Sequence, residues 1–298
     1  MVHSSSSAGH TPYSTHGEVR YLERLELYKT EKPYEVTFAP INITQPGVRR
    51  TNLSRKARPV VIRDFSTKRD SFSTDVQGFE LDSFPTSLST SELRDTGAIE
   101  TRYHREAEAY LTRKYEAKKI FIFDTTIREA REVASLPQDA SVVLKNKQKM
   151  RPAGDCHVDQ SSGSVRRRIM HNFPDQGESL ISNHRVRVIN IWRPLVWPYH
   201  SHPLAVCDWR STVMTDYALA DHTTPVWEGE SLQVHHNPAH QWWFAKRMDK
   251  DDVLLLKMYD SEAEKQSSGT PHCSFDWKDE VVSAAPRVSM EIRAIVFS

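Results

Sequence analysis

The sequence predicts a mainly β chain with flanking helices, its core a double-sheet barrel or jelly roll. Three observations predict it. After about Gln138 helical periodicity gives way to short runs rich in β-branched and aromatic residues. Pro194, Pro203, Pro238 and Pro271 punctuate those runs at intervals that suit two packed sheets. The 298 residues, 38% of them hydrophobic, are enough for one large core.

Residues 1 to 17 are rich in Ser, Gly, His and Thr, with little to bury, and are expected to be disordered. From Glu18 to about Pro85, Pro33, Pro40, Pro46 and Pro59 break short apolar runs, which indicates extended segments and turns. Between Ser91 and Lys119, Ala107, Tyr110, Leu111 and Tyr115 recur at three- and four-residue steps, the mark of an amphipathic helix. Lys119 to Phe123 follows as a buried strand, and Thr125 to Glu129 reads as a capped helical turn or connector. The later strands are expected at Val186 to Trp192, Leu204 to Asp208, Gln241 to Phe244, Val253 to Tyr259, His272 to Phe275 and Val288 to Phe297. The organisation expected is one domain over 18–298, with an N-terminal elaboration of about 18–140 and a core of about 141–298.

Lys plus Arg number 40 against 39 Asp plus Glu, a formal charge of +1, so no net field favours nucleic acid or an anionic membrane. A small molecule is the expected partner. Cys156, Cys207 and Cys273 are odd in number and form no CxxC pair, which argues for a reducing, cytoplasmic setting. No stretch has the length of an apolar membrane span, and the N-terminus lacks the charged and apolar pattern of a leader. The segment before Pro85 is a candidate dimer arm or active-site lid.

The sharpest local feature is Gly154-Asp155-Cys156-His157-Val158-Asp159-Gln160. On a strand, period-two alternation turns His157 and Asp159 to one face. That is the geometry of two neighbouring ligands in a two-His-one-carboxylate triad, which holds Fe(II) and leaves positions open. Alone the pair is a short, common motif. His272, at the head of a distant strand, supplies a third ligand. Fifteen residues later Arg287 and Ser289 share a strand face and can grip a carboxylate through charge-assisted hydrogen bonds. Taken by itself, Arg287 would instead be a surface arginine paired with Glu291 or Asp276. HxD, distant His, then RxS is the order of ligands and co-substrate anchor in iron oxygenases built on a double-stranded β-helix of cupin-like type.

The runs Asn190-Ile191-Trp192-Arg193-Pro194, Pro203 to Asp208, Leu256 to Ser261 and Pro286 to Ala294 resemble the fungal hydroxylase/desaturase family related to gibberellin desaturase. The resemblance covers roughly residues 100 to 298 and is loose before that. It implies a non-haem Fe(II)- and 2-oxoglutarate-dependent oxygenase of secondary metabolism. Such an enzyme uses O2 to hydroxylate, desaturate or cyclise at an unactivated C–H bond, releasing succinate and CO2. The implied metal ligands are His157, Asp159 and His272, and the implied anchor for the far carboxylate of 2-oxoglutarate is Arg287 with Ser289. Members often carry Arg-Glu-Ser where this chain has Arg287-Val288-Ser289; the middle side chain should face away from the site. Substrates in the family run from small amino acids and β-lactams to terpenoids and polyketide-derived compounds.

Asn190 and Trp192 share a strand face and are pocket candidates, as is Trp243, although the Trp242-Trp243-Phe244 cluster suits a core equally well. Trp192 or Trp243 near the pocket would help exclude water. Arg193 either clamps a substrate carboxylate or pairs with Asp208 or Asp260 to hold the sheet, the second being the commoner fate of a buried arginine. A small substrate bearing a carboxylate is suggested by the surplus of Arg185, Arg187, Arg193 and Arg293. His235, His236 and His240 invite a rival metal assignment, but adjacent strand histidines face opposite ways, and they read as loop or rim residues, with His200 and His202 in the same class. Two other readings stay open: an Fe(II)/O2 oxidase of the same fold without 2-oxoglutarate, and a non-catalytic jelly-roll binding protein. A zinc hydrolase would not need the carboxylate anchor, and Asp159 occupies the position a halogenase leaves vacant for chloride.

Overall fold

The computed structural model describes residues 13–36, 49–130, 150–197, 201–224, 227–263, 269–278 and 286–298. Its strands are β1 (Ser14–Leu22), β2 (Tyr34–Val36), β3 (Arg55–Asp64), β4 (Phe79–Ser83), β5 (Lys119–Glu129), β6 (His157–Val158), β7 (Val186–Pro194), β8 (Leu204–Cys207), β9 (Tyr217–Thr223), β10 (Glu228–Val234), β11 (Trp242–Phe244), β12 (Asp252–Asp260), β13 (His272–Ser274) and β14 (Val288–Phe297). Nine form one sheet in the order β1-β3-β11-β8-β13-β6-β10-β9-β2, and five form a second in the order β4-β12-β7-β14-β5. The larger sheet curls on itself, because bridges Arg20 to Asp155 and Leu22 to His235 bring β1 back against the β6 and β10 side.

Three apolar clusters follow from alternation along the strands. The first lies between the sheets, where Val158, Leu204, Val206 and Leu232 of the larger meet Val188, Trp192, Leu254, Leu256 and Ile295 of the smaller. The second covers the outer face of the smaller sheet, where Ile191, Leu255 and Ile292 meet Ala107, Tyr110 and Leu111 of the helix His104–Tyr115. The third fills the curl of the larger sheet with Tyr21, Trp242, Phe244 and the three cysteines. All three thiols are buried and free.

The six strands expected in the second half are present, and the amphipathic helix occupies His104–Tyr115. Three expectations are corrected. Residues 14–17 open β1 instead of belonging to a disordered tail: Thr15, Gly17, Val19 and Tyr21 turn inward by strict alternation. A Cβ at Gly17 would stand 2.8 Å from Ile62 and 2.9 Å from Phe275, so glycine permits this close approach. Residues 1–12 lie outside the described residues.

Thr125 to Glu129 is not a helical turn but the second half of β5, paired with β14 along its length, in keeping with the β-branched Thr125, Thr126 and Ile127. Helical structure does not end at Gln138. Ser162–Asn172 is a helix capped by the Ser161 hydroxyl, which accepts from the Ser164 N–H at 3.0 Å, and Gly177–Asn183 is another. The expected boundary near residue 140 lies outside the described residues. β4 and β5 pair with β12 and β14, and β1 and β3 continue the sheet of β8 and β11.

Candidate metal centre

β6 and β13 lie side by side, with His157 opposite His272 in register and their rings 4.5 Å apart. Asp159 follows directly on β6. One ligand atom from each of His157, Asp159 and His272 falls within 4.8 Å of the others. The two imidazoles are oriented alike. Nδ1–H of His157 donates to the Asp155 carbonyl at 2.7 Å, and Nδ1–H of His272 donates to the Thr270 carbonyl at 3.1 Å. A carbonyl can only accept, so each ring carries a proton on Nδ1 and turns its Nε2 towards Asp159. Those two Nε2 atoms stand 3.3 and 4.0 Å from Asp159 Oδ1. Burial, helped by the neighbouring His157, pushes His272 down to about 4, so its lone pair is available at neutral pH. Burial alone would raise the Asp159 carboxyl, but Arg293, the His157 contact and His272 carry it well below the usual carboxylate range.

The carboxylate is gripped from the opposite sheet. Arg293 of β14 donates through Nε to Asp159 Oδ2 at 2.7 Å and through Nη2 to Glu291 at 2.7 Å, and its Nη1 reaches Asp124. Arg128 of β5 closes the chain on Glu291 at 2.7 Å. Sequence reasoning missed this role of Arg293, Glu291, Arg128 and Asp124. The available signal was the alternation of Ser289, Glu291 and Arg293 in an otherwise apolar strand. Three carboxylates against two guanidiniums leave one negative charge along the chain. With the two imidazoles this set fits a dication of the iron type.

Arg287 and Ser289 occupy the same face of the closing segment as Glu291 and Arg293, Ser289 standing four residues, about 13 Å of strand, from Arg293. Both are buried. Arg287 donates to the His202 carbonyl and lies 5.6 Å from the Trp192 ring centroid, and its expected alternative partner Glu291 is taken by Arg128 and Arg293. The Ser289 hydroxyl is fully buried and has no hydrogen-bond partner among the described residues. Such a buried, unpartnered hydroxyl could donate to a ligand carboxylate. Val288 packs into the outer cluster, facing away from Ser289 as expected.

The other candidates divide by strand face. Asn190 sits between Leu256 and Arg293 on the inner face, its Oδ1 unpartnered among the described residues, and Trp192 joins the inter-sheet cluster. Trp243 lies in register with Val206, itself opposite His272, and packs on Phe72 at 4.9 Å, whereas Trp242 and Phe244 face the other way into the third cluster.

Arg193 is corrected: it pairs with neither Asp208 nor Asp260 and does not face the site. It points to the outer face, donating to the Tyr103 hydroxyl and the Lys250 carbonyl at 2.8 Å each and to the Phe84 carbonyl. The rival histidines are held elsewhere: His235 by the Leu22 carbonyl, His240 by Asp216 and Tyr21, and His236 against the Tyr21 ring. His202 lies beside Arg287, and His200 falls outside the described residues.

Two facing sheets with a His-Asp-His centre between them form the arrangement of the non-haem iron oxygenases. The family model described as an oxidoreductase/YMDC permease-like domain matches residues 19–297, and the chain belongs to that family. Among curated relatives, "Hydroxylase/desaturase efuI" of Hormonema carpetanum is 28% identical over 83% of this chain and 86% of its own length. "Fe(II)/2-oxoglutarate-dependent dioxygenase nvfI" of Aspergillus novofumigatus is 27% identical over 90% of this chain and 91% of its own. The expected kinship with fungal hydroxylase/desaturases is thereby borne out. Among solved structures, the "iron and alpha-ketoglutarate-dependent endoperoxidase NvfI" superposes with a TM-score of 0.80 at 23% identity, covering 96% of this chain and 98% of that one. This agreement establishes the shared double-stranded β-helix fold.

Proposed function

We propose that the chain is a non-haem Fe(II)- and 2-oxoglutarate-dependent oxygenase of secondary metabolism that oxidises a C–H bond of a small molecule. The observation that carries the proposal is the convergence of His157, Asp159 and His272 within 4.8 Å, with both Nδ1 atoms tied to carbonyls. His157 and His272 would hold iron through Nε2, and Asp159 through its carboxylate. Arg287 and Ser289 would take the far carboxylate of 2-oxoglutarate. When bound, the iron and co-substrate supply the oxidising power of O2, with succinate and CO2 as by-products.

The protein contributes aim and seclusion. Arg293 fixes the carboxylate that the two imidazoles face, and Trp192, with the apolar side chains between the sheets, walls the interior from water. Three buried, free thiols support a reducing, cytoplasmic setting. No described helix is long and apolar enough to cross a membrane.

The test is anaerobic addition of Fe(II) and 2-oxoglutarate to metal-free protein, with Asp159→Ala and Arg287→Ala alongside. A visible charge-transfer band that needs Asp159 and weakens without Arg287 is expected. Bound iron with no band would favour a 2-oxoglutarate-independent oxidase, and no iron binding would overturn the enzyme reading.

A further inference from the structure

The arginines whose surplus suggested a carboxylate substrate all have other work. Arg185 pairs with Asp260 and Asp75, Arg187 donates to Ser298, Arg193 to the outer-face carbonyls, and Arg293 to Asp159. Arg168 is different. It projects from the helix Ser162–Asn172, whose Val165 and Ile169 anchor it to the core between the sheets. Its Cζ lies 4.3 Å from the ring centroid of Phe123 and 4.3 Å from that of Trp227. The guanidinium is thus held between two rings, and its buried Nε has no hydrogen-bond partner among the described residues. No carboxylate pairs with it in a salt bridge among those residues either.

Phe123 is placed there by a bulge. β5 pairs Asp124 with Arg293 and then Ile122 with Ala294, so Phe123 is the extra residue. Two consecutive side chains, Phe123 and Asp124, therefore turn to the inner side, the first against Arg168 and the second against Arg293. Burial holds Arg168 below the ordinary arginine value, with Asp124 opposing that effect and Arg293 adding to it, so the cation senses the charged chain behind Asp159.

We propose that Arg168, clamped by Phe123 and Trp227, is the substrate-recognition cation of this oxygenase, and that the substrate is a monocarboxylate with an apolar or ring-containing body. The proposal rests on the iron-oxygenase reading for its catalytic meaning. The two rings hold the guanidinium, whose paired N–H groups match the planar oxygens of a carboxylate. Asp124 nearby disfavours a more highly charged anion such as a phosphate dianion. Phe121, two residues from Phe123 on the same inner side and packed on Phe173 at 5.1 Å, offers an apolar surface for the rest of the substrate.

The test uses 1-naphthoate as probe, with the neutral 1-naphthamide as its isostere, titrated calorimetrically into the full chain in excess 2-oxoglutarate. Wild type, Arg168→Met, Arg168→Lys and Arg287→Ala are compared after their folding is checked by circular dichroism. Wild type should prefer naphthoate by at least about tenfold, the value of a hydrogen bond to a charged group. Arg168→Met should abolish the preference, Arg168→Lys retain part of it, and Arg287→Ala leave it intact.

Equal binding of the two probes by wild type, or a preference that survives in Arg168→Met and vanishes in Arg287→Ala, would overturn the assignment. Anaerobic Fe(II) and 2-oxoglutarate in the same samples separate the two readings. Absence of the visible band with the naphthoate preference intact would defeat the oxygenase reading alone.

Discussion

Arg293 and Asp159 stand on opposite sheets and meet at 2.7 Å, so the carboxylate that would bind metal is positioned by a strand that supplies no ligand itself. Arg293 is buried and shared among Asp159, Glu291 and Asp124. Removing it leaves buried carboxylates uncompensated, which costs about 3–5 kcal/mol. We expect Arg293→Ala to be strongly destabilised, and Arg293→Lys to fold but bind Mn(II) or Fe(II) about 10- to 100-fold more weakly, the usual effect of losing a group that orients a ligand. Metal titration of the lysine variant checks this; unchanged affinity would show that Arg293 serves stability alone.

Arg193 predicts the reverse. Its three hydrogen bonds tie β7 to Tyr103, Phe84 and Lys250 on the outer face. Arg193→Ala should lose about 3 kcal/mol in urea unfolding, as the partners left buried lose a charged donor. The folded fraction should keep the Fe(II) and 2-oxoglutarate band. A normal unfolding midpoint with weakened substrate binding would restore the clamp reading.

Asp260 supplies a pH signature. Burial would raise its carboxyl, but Arg185 at 2.6 Å and Lys257 at 3.1 Å outweigh it and bring the value down to about 2. An unfolded aspartate titrates near 3.9, so the folded state binds fewer protons. Its contribution, about 2–3 kcal/mol, is fully present above the unfolded value and is lost as pH falls through about 4 towards 2. Unfolding of wild type and Asp260→Asn should therefore differ at pH 7 and converge near pH 2; a gap that does not change with pH would refute this account.

Glu116 ends the helix His104–Tyr115 in the left-handed region at φ 51°, with its side chain exposed. Glycine adopts that conformation without steric cost. Glu116→Gly should raise stability by roughly 0.5–1 kcal/mol. Thermal melts of the two proteins would show it, and a lower midpoint would contradict it.

Legibility in the sequence followed the range of the physics. β7, β12 and β14 are continuous apolar runs and plain to read, whereas Asp221, His222, Glu228 and Glu230 dilute the pattern of the partly exposed β9 and β10. The helix Ser162–Asn172 was hidden by Gly163 and three consecutive arginines, with only Val165 and Ile169 marking its buried face. His157, Asp159 and His272 were readable as a spacing and a context. The link from Asp159 to Arg293 spans 134 residues and depends on how two sheets face each other, which no local pattern encodes.

The single extra residue in β5 has a consequence for divergence. Without the bulge, strict alternation would send one of Phe123 and Asp124 outward, so the ring against Arg168 and the ion pair to Arg293 could not both face inward. With it, the ring at 123 and the ion pair at 124 become independent positions on adjacent residues. Exchanging the ring at 123 would alter the surroundings of Arg168 while Asp124 goes on holding Arg293, so the two can vary separately within one strand.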